Sequence, residues 1–230
     1  MNLQQENRPT ASITPASKSE KMPLIVWDFN GTLLNDVETC LDALNVILRQ
    51  RELQPLNLVE YRQRFTFPVS TFYQNLHIET MEDVHWEALA ESFHMRYIFS
   101  RKLVLQPGAA DVVKTFKTLG IRQGVLSALE QELLETQLQQ FGLFESMDFV
   151  CGSKNYNGAS KTEAARALGL GNHVLLVGDT LHDAEVAASQ GWKCILFSEG
   201  HQVRERLLVA GVPVIDTLAR LPELLFHDKE

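Results

Sequence analysis

Residues 24–36 read LIVWDFNGTLLND. Leu24 to Val26 form a short apolar run rich in branched side chains, the pattern of a strand buried on both faces. The run ends at Asp28, and Asn30-Gly31 then forces a turn. Four later segments repeat this signature: IRQGVLSA (121–128), MDFVCGS (147–153), HVLLVGDT (173–180) and WKCILFSEG (192–200). Each leads into a helical stretch. EQELLETQLQQF is stopped by Gly142, KTEAARAL is short and amphipathic, DAEVAASQ ends at Gly191, and RERLLVA closes at Gly211 before PVIDT. Strands alternating with helices predict an α/β fold, a parallel sheet with helices on both faces.

Residues 36–104 break that rhythm. Val37, Cys40, Leu41, Leu44, Ile47 and Leu48 follow the spacing of an amphipathic helix, which Pro55 stops. Shorter helical pieces follow around VEYRQRF and VSTFYQNL, and a longer one spans EDVHWEALAESFHMRYIF. Pro107-Gly108 marks re-entry, with AADVVKTFKTLG as the next core helix. The reading is a core of residues 22–35 and 105–230 carrying an inserted α-helical cap, 36–104. Within the cap, the aromatics Phe65, Phe67, Phe72, Tyr73, Phe93 and Tyr97 are expected to form its apolar core. His77, His85 and His94 show no ligand spacing. Residues 1–21, rich in Ser, Thr, Pro and Gln, read as a disordered tail without the apolar middle of a secretory signal.

Composition narrows the partners. The chain has 21 basic and 29 acidic residues and a formal net charge of −8. Such a chain lacks the electrostatic footprint of a nucleic-acid binder and is repelled by anionic membrane surfaces. No apolar run reaches the length of a membrane span. Cys40, Cys151 and Cys194 are odd in number and widely spaced, which excludes a disulfide framework and a cysteine zinc site and points to a reducing, cytoplasmic setting.

In a parallel sheet, ligands bind outside the carboxyl ends of the strands. There the sequence places Asp28 and Asn30 after the first strand, Ser127 after the second, and Asp179 with Asp183 after the fourth. Lys161 opens the helix after the third. Carboxylates, a hydroxyl and an ammonium on one rim suit a hard cation and a phosphate. Magnesium takes oxygen ligands, while Ser127 and Lys161 can bind the remaining phosphate oxygens. Asp28 is then placed to attack phosphorus, with metal and lysine reducing its repulsion from the dianion.

With these residues in order, the chain resembles the haloacid dehalogenase-like hydrolase superfamily, and within it the helical-capped branch that includes phosphoglycolate phosphatases. Asp28-Phe29-Asn30-Gly31-Thr32 corresponds to the DxDGT motif, Ser127 to the second motif, Lys161 to the third, and Gly178-Asp179-Thr180-Leu181-His182-Asp183 to the GDxxxD form of the fourth. The resemblance implies a Rossmann-like core with sheet order 5-4-1-2-3, a Mg2+ cofactor and an aspartyl-phosphate intermediate. It further implies that Asp28, the Asn30 main-chain carbonyl and Asp179 bind the metal, with Asp183 close by. Gly31, Thr32, Ser127, Ala128 and Lys161 would hold the substrate phosphate. The implied activity is hydrolysis of a small phosphorylated metabolite, a phosphomonoester such as phosphoglycolate.

Asn30 departs from the motif. The family's phosphatases carry an aspartate there, which protonates the leaving oxygen and later deprotonates the attacking water. An amide has no titratable proton, and losing a general acid–base costs about 10²–10⁴-fold in rate. Three readings stand: another group serves, with His182 and His201 as candidates; the leaving group needs little protonation; or the protein is a damped or inactive member that binds a phosphorylated ligand. Arg62 and Arg64 are candidates for holding a substrate carboxylate from the cap. A metal-free dehalogenase would leave Asp179 and Asp183 unexplained. A phosphonatase needs a cap lysine, and none lies between Lys21 and Lys102.

Overall fold

The computed structural model describes residues 22–78, 86–98, 100, 102–153 and 161–227. The expected N-terminal tail and His85 lie outside these. Six parallel strands form the central sheet: β1 (Leu24–Trp27), β4 (Gln123–Glu130), β5 (Phe149–Ser153), β6 (Val174–Gly178), β7 (Lys193–Phe197) and β8 (Val214–Ile215). Their spatial order is β5-β4-β1-β6-β7-β8. Counting the first five in chain order gives the expected 5-4-1-2-3, with the short β8 added outside β7.

Alternation along the strands explains the layers. Ile25 and Trp27 of β1, with Leu175 and Val177 of β6, face one apolar cluster; Leu24 and Val26, with Val174 and Leu176, face the other. Helix α5 (Ala109–Thr118) brings Val112 and Phe116 to the first face, and α6 (Gln131–Gln140) brings Leu134 and Leu138. On the second face lie Ala165 of α7 (Lys161–Leu168) and Val186 of α8 (Leu181–Gln190). The sheet is therefore covered on both sides, as continuous apolar strands require.

Between β1 and β4 the chain runs through α1 (Val37–Gln50), α2 (Leu58–Arg64), α3 (Val69–Asn75) and α4 (Trp86–Ile98). Two short strands frame these helices: β2 (Leu34–Asn35) pairs antiparallel with β3 (Val104–Leu105). This ribbon was not anticipated, since two-residue strands leave no periodic trace. The apolar face of α1 packs into the same buried cluster as the sheet's first face. Beneath it, Asn45 Nδ2 donates to the Leu56 carbonyl, and the Leu56 amide donates back to Asn45 Oδ1, each at 2.8 Å.

Candidate active site

The expected carboxylates meet at the C-terminal edge of β1 and β6. The Asp28 amide extends the pairing by donating to the Val177 carbonyl at 2.8 Å, which sets Asp28 and Asp179 side by side. Ligand oxygens of Asp28, Asp179 and Asp183 lie within 4.8 Å of one another, and all three residues are buried. Asp183 occupies the first turn of α8, where its carboxylate accepts from the Thr180 amide at 3.0 Å and hydroxyl at 2.7 Å. Close approach is bought with glycine: a Cβ at Gly31, whose φ is +77°, would overlap the Asp179 carboxylate, and one at Gly178 would overlap that of Asp183.

Lys161 bridges the cluster. Its ammonium lies 2.7 Å from Asp28 Oδ1 and 2.5 Å from Asp183 Oδ1, with its side chain only 3% exposed. Burial opposes the charge on Lys161, but Asp183 and Asp28 hold its pKa above the ordinary value. Asp183 is likewise buried, yet the lysine and the Thr180 hydroxyl keep its carboxyl below the usual range. Asp28 and Asp179 are pushed upward, by burial first. Against one ammonium stand three desolvated carboxylates, and a divalent cation would balance the remainder. The all-oxygen donor set suits Mg2+.

Ser127 and Ala128 line the same cavity. Other candidates stand differently from the expectation. The Thr32 hydroxyl donates to Asp179 Oδ1 at 3.1 Å, orienting a carboxylate. The Gly31 amide donates to the Leu34 carbonyl and to Asp36 Oδ1, each at 2.9 Å. Arg62 and Arg64 are absent from the cavity wall: Arg62 is drawn to the Glu199 carbonyl and carboxylate, and Arg64 donates to the Asn75 carbonyl. His182 also lies outside that wall, its ring 5.1 Å from Phe67 and its Nδ1 3.3 Å from Glu185. His201 lines the cavity, and its amide donates to Asp179 Oδ2 at 2.6 Å.

Sequence reasoning missed the group around Asp36. This residue precedes α1 in the position of a helix N-cap, but its side chain caps nothing. Instead Asp36 Oδ2 accepts from Asn30 Nδ2 at 2.8 Å and from the Tyr97 hydroxyl at 3.0 Å, while Oδ1 lies 3.2 Å from His201 Nε2. The Tyr61 hydroxyl meets His201 Nδ1 at 2.9 Å. Burial would raise the Asp36 carboxyl, yet His201 and the donors hold it below its ordinary value. Burial conversely disfavours the imidazolium, and Asp36 with Asp179 overcomes this to bring His201 up to about 9. Asn30 is thus tied to a buried ion pair. Its Nδ2 also donates to the Tyr97 hydroxyl at 2.7 Å, and its Oδ1 accepts from Ser127 at 3.4 Å. The only signal for Asp36 was a carboxylate so soon after Asp28-Phe29-Asn30-Gly31-Thr32.

A haloacid dehalogenase-like hydrolase family model matches residues 25–197. The chain belongs to that family. It is 27% identical over 190 residues to the phosphoglycolate phosphatase of Cereibacter sphaeroides, covering 79% of this chain and 87% of that one. Among solved structures it is similar to a predicted phosphatase from Clostridium acetobutylicum, with a TM-score of 0.73, 18% identity, and coverage of 90% and 99% of the two chains. A haloacid dehalogenase-like family hydrolase from Streptococcus pneumoniae gives a TM-score of 0.72 at 13% identity, covering 89% and 99%. At such identities these structures establish the fold alone. Among the described residues, no helix is long and apolar enough to cross a membrane.

Proposed function

We propose that this hydrolase is a magnesium-dependent phosphatase acting on a small phosphomonoester, with Asp28 as nucleophile. The observation that carries it is the Lys161 ammonium held between Asp28 and Asp183 beside Asp179. Asp28, Asp179, Asp183 and the Asn30 carbonyl would hold Mg2+, which when bound screens the charge between nucleophile and phosphate. An Asp28 oxygen attacks phosphorus, and the bond to the leaving oxygen breaks with its electron pair departing on that oxygen. Lys161 offsets the charge of the phosphoryl oxygens, and Ser127 stands beside them as a donor. Water then attacks phosphorus, releasing inorganic phosphate and restoring the Asp28 carboxylate. Helices α1–α4 act as the cap over this chemistry. The buried Cys40 and Cys194, neither in a disulfide, fit a cytoplasmic setting.

Asn30 supports a second reading, a damped enzyme that chiefly binds its phosphorylated ligand. Its amide is held by Asp36 and Tyr97 and carries no proton to give a leaving group. Phosphate release and acid-stable labelling of the protein test both readings. Wild type should turn over and Asp28→Asn should lose turnover and label together. Labelling that persists in Asp28→Asn removes Asp28 as nucleophile. Turnover confined to Asn30→Asp favours the binder.

A further inference from the structure

The cavity at Asp28 has a volume of about 210 Å³. Besides Asp28, Ser127 and Lys161, it is lined by Leu44, Phe65, Phe67, Phe72, Phe93 and Tyr97. Phe65, Phe72, Tyr73 and Tyr97 are buried in the apolar cluster and Phe67 and Phe93 pack against it, as expected of core aromatics, and all six also line the cavity.

Phosphoglycolate carries a carboxylate, and among the described residues this wall has no arginine or lysine free to pair with it. Among the described residues, Lys161 is the only lysine or arginine lining the cavity, and two carboxylates already hold it. His201 is paired with Asp36, and burial favours the neutral form of His94. The remaining charges on the wall, Asp36 and Glu130 among them, are acidic. A second anionic group on the substrate would therefore meet no unpaired arginine or lysine among the described residues of this wall. The aromatic side chains of the lining suit a ring instead.

Asn30 points the same way by a separate route. With an amide rather than a carboxyl at that position, a leaving oxygen that departs readily as an anion is favoured. A phenol, with a pKa near 10 like that of tyrosine, leaves far more readily than an alkoxide, whose conjugate acid is much weaker. We propose, building on the phosphatase reading, that the substrates are phosphate monoesters of aromatic hydroxyl compounds, with the ring seated among the cap aromatics. In the reaction the P–O bond breaks, the phenolate takes the electron pair, and it collects its proton from solvent after release.

The test compares phenyl phosphate, hexyl phosphate and phosphoglycolate with wild type in magnesium. Phenyl phosphate should exceed phosphoglycolate in kcat/KM by about 10²-fold or more. Hexyl phosphate should share the KM advantage but not the kcat. Across ring-substituted phenyl phosphates, kcat should fall steeply as the leaving phenol becomes less acidic, and Asn30→Asp should flatten that dependence. Phe93→Ala, at a partly buried position, should raise KM for phenyl phosphate about tenfold more than it raises KM for phosphoglycolate. Phosphoglycolate equal to or better than phenyl phosphate overturns the proposal while leaving the phosphatase reading intact. If no ester is hydrolysed, the phosphatase reading fails and the wall is tested by calorimetry with benzylphosphonate and phosphonoacetate. Tighter benzylphosphonate upholds the aromatic seat; tighter or equal phosphonoacetate overturns it.

Discussion

Replacing Lys161 with methionine keeps most of the side chain's apolar stem and removes the one charge that balances Asp28 and Asp183. At 2.7 Å, a unit charge pair in an effective dielectric near 20 attracts by about 6 kcal/mol before desolvation is subtracted. The ammonium's own burial offsets much of this. What the substitution leaves behind is two carboxylates in a dry site, and breaking one side of a buried pair costs about 3–5 kcal/mol. Against a typical domain stability of about 5–15 kcal/mol, that is a large share. Urea unfolding of metal-free Lys161→Met at pH 7 should show this loss. The pH dependence has a definite sign. A carboxyl raised above its unfolded value contributes stability that is present at low pH and lost as pH rises through its folded pKa. Asp28 and Asp179 are already raised, and losing the lysine raises Asp28 further. The deficit should therefore shrink on going from pH 7 to pH 5. Magnesium should offset part of it, because a cation replaces the missing charge. A deficit below about 1 kcal/mol at pH 7, or one that grows on acidification, would refute the electrostatic account of this cluster.

Two further outcomes follow from the same structure. His201 has a raised pKa, so its ion pair with Asp36 contributes fully below 6.5 and is lost as pH rises through about 9. The stability difference between wild type and His201→Gln, followed by thermal melts, should close across that window; a constant difference would contradict the pairing. Asn45→Ala strands the Leu56 amide and carbonyl inside the protein, and denaturant titration should show a loss of about 2 kcal/mol or more, with a negligible loss arguing that water reaches both groups.

Much of this arrangement was legible before any coordinates. The strands carry local signals, although β4 continues past the expected end to Glu130 and so holds Ser127 within it. Asp28, Ser127, Asp179 and Asp183 could be placed on one rim because parallel strands present their carboxyl ends together. Lys161 joined them as the first residue of the helix after β5. The apolar periodicity of α1 likewise declared a helix that packs by one face.

The rest depended on contacts between distant parts of the chain. Tyr61 and His201 are 140 positions apart, and no local pattern announces that they meet around Asp36. Periodicity marks a stripe as apolar but cannot say whether it abuts another helix or an open cavity. The aromatics between β1 and β4 are core as read, and they also line the space at Asp28. Arg62 and Arg64 looked available for a carboxylate in sequence, but carbonyls and a glutamate from other segments take their charge. The sequence by itself determined the sheet, its helices and the carboxylates at its edge, because hydrophobic alternation and turn chemistry act over a few residues. Only the tertiary structure decided that Asn30 answers to a buried aspartate–histidine pair, and that the space beyond it is aromatic and without an available arginine or lysine among the described residues. Burial and pairing arise when segments converge, and those contacts are what set charge, donor state and shape at the site.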